Sequence, residues 1–325
     1  MTELVSIGVP VFRGTKFVGE ALQSIQAQTH SNLDVLISVD GADHESTALC
    51  EVLVRDDPRF NLVIQESQLG WAGNISFLMS QNKGAFWYFH QQDDIVSPDY
   101  VQSLLEHAHK HPNAAVLYSD LEAFGTLELV MHQNSLLGTP AAREIGLLHD
   151  HLAAVAFRGL TRQAALDQAG GIRQNEIESF AAETTWMASI ARAGELVRLP
   201  RVLYFKRFHD ENLHTKWLHW PLEKRKKTWQ VHCRDMFLEA VRAEATTLER
   251  RLMWFAALTR LVSRLAAHYL PLAEFDAKER GQMLEGFLES FGSLSQQVEP
   301  TLGLSWPEIT TSSCSFFEHN PKLSS

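Results

Sequence analysis

Val5-Ser6-Ile7-Gly8-Val9-Pro10-Val11-Phe12-Arg13 opens the chain with a short apolar run that stops at a proline, the pattern of a buried strand. The apolar residues that follow, Phe17, Val18, Ala21, Leu22 and Ile25, recur at helical spacing on one face. The alternation continues outward. Leu33 to Val39 reads as a second strand ending in Asp40-Gly41, residues 45–55 as a helix, and Phe60 to Ile64 as a third strand. Gly70 and Gly73 open a helix through Met79, and Ala85 to Phe89 is a fourth, strongly apolar strand. Ser97-Pro98-Asp99 offers an N-cap, a proline at the first helical position and an acid in the first turn. Ala114 to Tyr118 is a fifth strand. Strands alternating with helices predict an α/β fold, a mostly parallel sheet flanked by helices. Such sheets bind ligands beyond the carboxyl ends of their strands. Three polar clusters, Pro10 to Arg13, Asp40 to Asp43 and Gln91 to Asp94, each follow a strand end, so a nucleotide site is expected there.

Residues 120–160 are less regular, interrupted by Gly125, Gly138, Pro140 and Gly146. A helix is expected from Thr161 to Ala169, stopped by Gly170-Gly171, and another from Glu183 to Ala193, stopped by Gly194. Leu196 to Phe205 reads as a strand around Pro200. From Trp217 the pattern turns helical, with helices expected over 221–245, 247–269 and 275–294 and a polar, Ser-rich tail after Pro300. The reading divides the chain into a catalytic domain over 1–215 and an α-helical C-terminal extension over 216–325.

Composition narrows the function. Hydrophobic residues make up 45% and charged residues 21% of 325, ordinary values for a globular chain. A net charge of −10 argues against nucleic acid as a partner, because phosphate-backbone binding rests on clustered Lys and Arg. The basic run Lys224-Arg225-Lys226-Lys227, next to Glu223, reads as a solvated helix face. Cys50, Cys233 and Cys314 are too far apart for a thiolate zinc motif or a disulfide framework. Neither a charged leader nor a run long enough to span a bilayer is visible, so a cytoplasmic protein is expected. Leu252, Phe255, Leu258, Leu261, Val262, Leu265 and Tyr269 form an apolar stripe, with Arg250, Arg251, Arg260 and Arg264 off it. The stripe either rests on an anionic membrane surface, which would suit a lipid-linked acceptor, or packs on the catalytic domain or a second copy in a homo-oligomer.

Several of these segments, in this order, resemble the family-2 glycosyltransferases, which have the nucleotide-binding fold called GT-A. The family's opening strand and Pro-x-Tyr-Asn turn resemble Val9-Pro10-Val11-Phe12-Arg13, followed by Leu22-Gln23-Ser24-Ile25 and Gln28-Thr29. Val39-Asp40-Gly41-Ala42-Asp43 is similar to its Asp-Gly-Ser-x-Asp, and Gln68-Leu69-Gly70-Trp71-Ala72-Gly73-Asn74 to its Asn-x-Gly-x-x-x-Asn. Gln91-Gln92-Asp93-Asp94 stands where the family has Asp-x-Asp-Asp, and Glu183 stands on a helix where it has a carboxylate. The resemblance covers about residues 1–215. It implies an inverting enzyme that moves a sugar from a nucleoside-diphosphate donor, of UDP or dTDP type, to an acceptor hydroxyl on a glycan or a lipid-linked chain. A setting in bacterial surface polysaccharide or cell-envelope synthesis is implied with it.

The residues suit those roles. A diphosphate leaving group carries charge that a hard divalent cation, Mg or Mn, neutralises from carboxylate ligands. Asp93 fits that ligand role, with Asp94 orienting the loop or a metal-bound water; alternatively both acids simply cap the turn before Ser97-Pro98. Gln91 replaces the first acid of the motif. An amide hydrogen-bonds a ribose hydroxyl but is a poor ligand for Mg or Mn. Gln92 completes the cofactor-binding set with Pro10, Val11, Phe12 and Arg13, where Arg13 stands in place of the family's Asn. Asp40 is assigned by the resemblance to the imide N–H of uracil or thymine; an Asx turn with Gly41 is the other reading. Glu183, between Phe180-Ala181-Ala182 and Trp186-Met187, is assigned as the base that takes the acceptor's proton; a first-turn glutamate on a helix dipole is the alternative. His209 in Lys206-Arg207-Phe208-His209 is placed by the resemblance near the metal or diphosphate, or is a surface histidine. His209 and His214, five apart, do not by themselves make a metal site. Trp186, Trp217 and Trp220 are weighed as sugar contacts against plain core residues. The Gln91 replacement also leaves open a degenerate member that binds nucleotide or glycan without turnover.

Overall fold

A computed structural model gives the structure of residues 3–319, apart from the side chains of Leu213, His214 and His319. The chain runs β1 (Val5–Val11), α1 (Val18–Gln26), β2 (Leu33–Val39), α2 (His44–Val54), β3 (Phe60–Ile64), α3 (Gly70–Ser80), β4 (Phe86–Phe89), β5 (Ile95–Val96) and α4 (Tyr100–Lys110). It continues through β6 (Ala114–Gly125), β7 (Leu129–Met131), α5 (Pro140–Asp150), α6 (Ala153–Ala156), β8 (Leu160–Arg162), α7 (Gln163–Ala169), α8 (Ala182–Ala193) and β9 (Glu195–Phe208). Seven helices follow: α9 (Leu213–Leu218), α10 (Leu222–Ala240), α11 (Thr247–Arg260), α12 (Arg264–Ala267), α13 (Ala277–Phe291), α14 (Ser295–Leu302) and α15 (Trp306–His319). Two compact units form. One holds the chain up to Ser135 with Ala153–Asp210; the other holds Leu136–Leu152 with the chain from Glu211 onward.

In the first unit the strands join one sheet in the order β3-β2-β1-β4-β8-β6-β9-β5, with β7 beside β6. β1 lies between β2 and β4, parallel to both, with Val5 opposite Leu33 and Phe86. Val5, Ile7, Val9 and Val11 are buried, and so are Ser6 and Gly8 between them. Burial on both faces explains why this strand reads as a continuous apolar run instead of an alternating one. Because β1, β2 and β4 run the same way, their ends, Val11, Val39 and Phe89, lie at the same side of the sheet. The polar clusters predicted as a site therefore start from neighbouring strand tips.

The expected mostly parallel α/β sheet is present in β3-β2-β1-β4 and in the long β6–β9 pair. The other half is mixed, because β8 enters antiparallel to β4 and β6 and β5 pairs antiparallel with β9. Thr161, read as the start of a helix, lies inside β8, and α7 begins at Gln163. β6 and β9 outrun their predicted ends at Tyr118 and Phe205. Between Ser119↔Leu199 and Asp120↔Val202, Pro200 and Arg201 have no partner on β6; a bulge is where a residue without an N–H fits a strand. Beyond it the pairing holds to Phe208, which carries Tyr204, Lys206 and Arg207 toward the strand tips.

Ser97-Pro98-Asp99 does not open its helix as expected. α4 starts at Tyr100 with Asp99 before it. Ser97 is held at the sheet edge, its N–H donating to the Leu203 carbonyl and its hydroxyl to Asp99. Residues 136–152, read as irregular, contain α5. Thr139 caps it at the Ala142 amide and Pro140 takes the first position, a signal present in the sequence but overshadowed by Gly138 and Gly146.

In the second unit the apolar stripe of 250–269 packs inward: Leu258, Leu261, Val262 and Leu265 are buried, while Leu252 stays 47% exposed. The stripe is two helices, because Ser263 caps α12 at the Ala266 amide. Arg260, read as lying off the stripe, is buried as well. Its guanidinium donates to the carbonyls of Leu147 and Leu148 in the last turn of α5, where a cation also meets the negative end of the helix dipole. Residues 301–319, read as the start of a polar, Ser-rich tail, are largely helical. Pro300 lies within α14, and α15 buries Ile309 and Ser313, whose hydroxyl receives the Trp254 indole N–H at 3.0 Å. No helix among the described residues is long and apolar enough to cross a membrane.

Gly159 sits where β8 begins against β6. A Cβ there would fall on the Leu117 carbonyl oxygen and within 2.9 Å of Tyr118, and backbone cannot yield as a flexible side chain would. Gly159→Ala is expected to cost about 3 kcal/mol or more, read as a lowered urea midpoint with an unchanged slope.

Candidate active site

The tip of β1 is clamped from β4's side. Gln92 accepts the Phe12 N–H at 2.9 Å and returns its own amide N–H to the Phe12 carbonyl at 3.0 Å. Arg13 then turns with φ +50°, its N–H donating to Asp43 at 2.6 Å. Asp43 also caps α2 at the Ser46 amide. Burial works against its charge, but these hydrogen bonds outweigh it and hold the carboxyl below the ordinary range. Phe12, Arg13, Asp40, Gly41, Ala42, Asp43, Glu66, Ser67 and Gln68 line a cleft of about 330 Å³.

Asp40 is only 3% exposed. One carboxylate oxygen takes the Leu69 N–H at 2.6 Å and the other the Gly70 N–H at 2.9 Å. It thus anchors the N-terminus of α3 at the edge of the cleft, and each oxygen keeps a further lone pair. This anchor is neither the Asx turn with Gly41 nor visible in the sequence, since its partners lie some thirty residues on.

The two adjacent acids after β4 divide. Asp93 meets His209 at 2.9 Å between Oδ2 and Nε2. Its pKa is raised, by desolvation first and the Asp94 carboxylate second, with His209 and Arg158 opposing. Asp94 faces inward and is 1% exposed. Its oxygens receive the Tyr204 hydroxyl at 2.7 Å, the Arg207 N–H at 2.9 Å and the Arg158 guanidinium at 3.4 Å. With its oxygens so engaged, Asp94 ties β9 to the tip of β4 and is poorly placed for a metal. The loop-orienting role weighed for it is the one this geometry matches.

Arg158, just before β8, is the functional-site residue that sequence reasoning missed; a lone arginine in an irregular stretch carries no local signal. It is buried, donates to the Ala154 carbonyl at 2.7 Å and lies 5.6 Å from the Tyr204 ring. Desolvation opposes its charge, but Tyr204 and the neighbouring carboxylates more than offset it and raise its pKa. Glu183 stands in the first turn of α8. Its pKa is raised by desolvation, against the smaller opposing pull of its own backbone N–H, Arg158 and Lys206. Lys206 is pushed down to about 8 by desolvation and by Arg158, while Asp94, Asp93 and Glu183 hold it up. Arg158 and Lys206 therefore feel Asp93 and Glu183 alike, so the strand tip and the helix start share one electrostatic cluster.

The other predicted residues fall as follows. Pro10 and Val11 are inside β1 and support the tip instead of lining the cleft. Gln91 is partly exposed, and its side chain makes no hydrogen bond among the described residues. Arg207 is engaged: it donates to the Asp93 carbonyl and to Glu20 and lies over Phe17 and Phe124. Trp186 is buried with its N–H on the Gly170 carbonyl, a core role, and Trp217 is likewise buried in the second unit. His214's side chain lies outside the described residues.

Among the described residues no three His, Cys, Asp or Glu side chains gather as a self-sufficient metal cage. The Asp93–His209 pair offers two donors. Adjacent ligands of an octahedral ion at about 2.1 Å stand about 3 Å apart, which matches their 2.9 Å separation. A carboxylate and an imidazole are an acceptable donor set for Mn, with the rest left to phosphate and water.

A mostly parallel α/β sheet of this order, with helices on its faces and acidic and amide side chains following its strand tips, is the architecture of the GT-A class of fold. Residues 6–166 match Glycosyl transferase family 2, and through them the chain belongs to that family. It is 28% identical over 106 residues to glycosyltransferase GlyG of Streptococcus pneumoniae, which covers 33% of this chain and 35% of that protein. The match thus spans about a third of this relative's length. An uncharacterized glycosyltransferase of Haemophilus influenzae is 20% identical over 235 residues, 69% of this chain and 71% of its own. Among solved structures, S. aureus TarS 1-349 in complex with UDP-GlcNAc superposes with a TM-score of 0.67 at 15% identity, covering 97% of this chain and 92% of that one. The mannosyltransferase PcManGT of Pyrobaculum calidifontis, in complex with GDP-Man and Mn2+, reaches 0.53 at 13% identity, covering 96% and 87%.

The two neighbouring acids should respond differently to loss of charge. Asp94→Asn leaves Arg158 buried without its counter-ion and is expected to cost about 3 kcal/mol or more. Asp93 has a raised pKa, so the cost of its charge is absent below the ordinary carboxylate range and grows as pH rises through the folded value. Asp93→Asn should therefore keep stability within about 1 kcal/mol at pH 7. Urea denaturation of the two variants checks the contrast.

Proposed function

We propose that this protein is an inverting glycosyltransferase that moves a sugar from a nucleoside-diphosphate donor, of UDP or dTDP type, to a hydroxyl of a glycan or lipid-linked acceptor. The observation that carries the reading is the set of acids at neighbouring strand tips, Asp40 on the wall of the cleft and Asp93 paired with His209 at 2.9 Å. Family membership and neighbours solved with UDP-GlcNAc or with GDP-Man and Mn2+ support the donor class. A place in bacterial surface-polysaccharide or cell-envelope synthesis belongs to the same reading.

The cleft beside Phe12 and Arg13 receives the nucleobase, where the free lone pairs of Asp40 accept an imide N–H. Gln91, unengaged at the strand tip, meets a ribose hydroxyl. Asp93 and His209 would hold a divalent cation, Mg or Mn, which when bound neutralises charge on the diphosphate leaving group. Glu183 accepts the proton of the acceptor hydroxyl as that oxygen bonds the anomeric carbon. The bond from that carbon to the diphosphate oxygen breaks, its electron pair leaving with the diphosphate. One displacement by one base inverts the anomeric centre. The raised pKa of Glu183 makes it a stronger base than an exposed glutamate, at the expense of folding stability when it is ionised.

Glu183→Gln is expected to lower turnover about a hundredfold to ten-thousandfold while leaving nucleotide binding unchanged. Folding tells the same story with the opposite sign. The raised pKa means Glu183 favours the native state below the unfolded carboxylate value and loses that contribution as pH rises through the folded value. The variant should thus melt no lower than the parent at pH 7. Donor hydrolysis with Mn, and thermal shift with UDP, GDP, dTDP and CMP with and without Mn, check the reading, since a ligand of the native state raises its melting point. Binding without turnover in the parent protein would favour a degenerate binding member, and no shift with any of the four would defeat the nucleotide reading itself.

A further inference from the structure

We propose that His90 is a positioning residue for Asp93, bracing the turn that presents this carboxylate beside His209, an inference that rests on the cation-binding reading above. The turn Gln91-Gln92-Asp93-Asp94 follows His90, which itself comes directly after the last residue of β4. His90 stays with the sheet, its backbone N–H donating to the Gly8 carbonyl of β1 at 3.0 Å. Its side chain is buried, and none of the steps above uses it. The imidazole Nε2 meets the carbonyl oxygen of Asp94, four residues on, at 3.2 Å. The turn is therefore closed across its base by the side chain at its entrance.

Chemistry fixes the direction of that bond. A carbonyl oxygen only accepts, so Nε2 carries the hydrogen. Burial pushes the His90 pKa down to about 4, with the Asp94 carboxylate and carbonyl opposing and Arg158 adding to the fall. The ring is thus neutral near pH 7 and has one N–H to give. Nδ1 is then an acceptor, and the Tyr88 hydroxyl donates to it. Tyr88 lies two residues back along the strand, on the same face. Its ring meets the imidazole edge-on at 5.5 Å, and the Tyr204 ring stands 6.3 Å away. A histidine whose second nitrogen is held by a neighbour has its tautomer and orientation set.

Both flanks of Asp93 are fixed in this way. Gln92 is clamped to Phe12 at two points. Asp94 is held twice, its carboxylate by Tyr204, Arg207 and Arg158 and its carbonyl by His90. The Asp93 carbonyl receives the Arg207 guanidinium at 3.1 Å, and the Asp93 carboxylate meets His209 at 2.9 Å. His90 joins the entrance of the turn to its exit, so losing its N–H releases the Asp94 carbonyl while the Asp94 carboxylate stays paired. Groups that orient cation ligands without touching the cation are worth about ten- to a hundredfold in its affinity.

The test is calorimetry of UDP and of dTDP, each in Mn and in EDTA, on the parent protein, His90→Asn, His90→Gln and Tyr88→Phe. A glutamine amide reaches as far as Nε2 and restores the donor to Asp94, whereas an asparagine amide stops near the place of Nδ1. In the parent, Mn tightens nucleotide binding. His90→Asn is expected to lose about tenfold or more of that tightening, with affinity in EDTA within about twofold of the parent. His90→Gln recovers most of it. Tyr88→Phe keeps the ring but removes the hydroxyl that sets the tautomer, so a partial loss of the same tightening is expected, and this variant decides if His90→Asn does not fold. Full tightening in His90→Asn or Tyr88→Phe, equal losses in Mn and EDTA, or no recovery in His90→Gln overturns the role of His90 and leaves the nucleotide reading in place. A parent protein that binds nucleotide equally with and without Mn removes the cation reading and this role together, and one that binds neither nucleotide removes the nucleotide reading beneath them.

Discussion

A buried arginine and a buried aspartate hold the business end of the sheet together. Arg158 and Asp94 are both removed from water, and each makes the other tolerable there. Asp94 also receives Tyr204 and the Arg207 amide from β9, so one carboxylate fastens the tip of β4 to a strand more than a hundred residues later in the chain. With Asp94 fixed, its neighbour Asp93 meets His209. The order of the two acids along the backbone becomes a difference in partners, one carboxylate set among Arg158, Tyr204 and the Arg207 amide and the other against His209.

Around that pair the protein spends hydrogen bonds on loops in preference to elements. Gln92 closes a two-point clamp on Phe12, Asp43 serves both the Arg13 turn and the start of α2, and Asp40 anchors α3. Each is a strand-tip side chain satisfying backbone groups that no strand or helix satisfies. The outcome is a rim held in place before any ligand arrives, the condition under which binding energy is not consumed in ordering the site.

Much of this fold was legible because its central strands are buried on both faces and parallel, so their apolar runs and their polar ends stand out. β1, β2, β3 and β4 and the helices between them fall within a residue or two of where spacing puts them. β5, β7 and β8 did not show, for a physical reason: they are two or three residues long, and β5 and β8 exist only because distant strands offer them partners. The candidate site splits the same way. Asp40, Gln92, Asp93, Glu183 and His209 were visible as residue types at strand and helix ends. That Asp94 faces inward, that Gln92 binds the chain itself, and that Arg158 matters at all depend on tertiary contacts no local pattern encodes. The serines after Pro300 misled for the opposite reason, since polar composition suggested a tail where Ser313 meets the indole of a buried tryptophan.

The helix α5 ties the chain's middle to its end. It is capped at its start by Thr139, but the carbonyls of its last turn are answered by Arg260, more than a hundred residues onward. A ribosome must therefore finish α11 before the Leu147 and Leu148 carbonyls can meet their cation. A chain stopped anywhere before Arg260 would lack this cation at the end of α5 and leave those carbonyls to water.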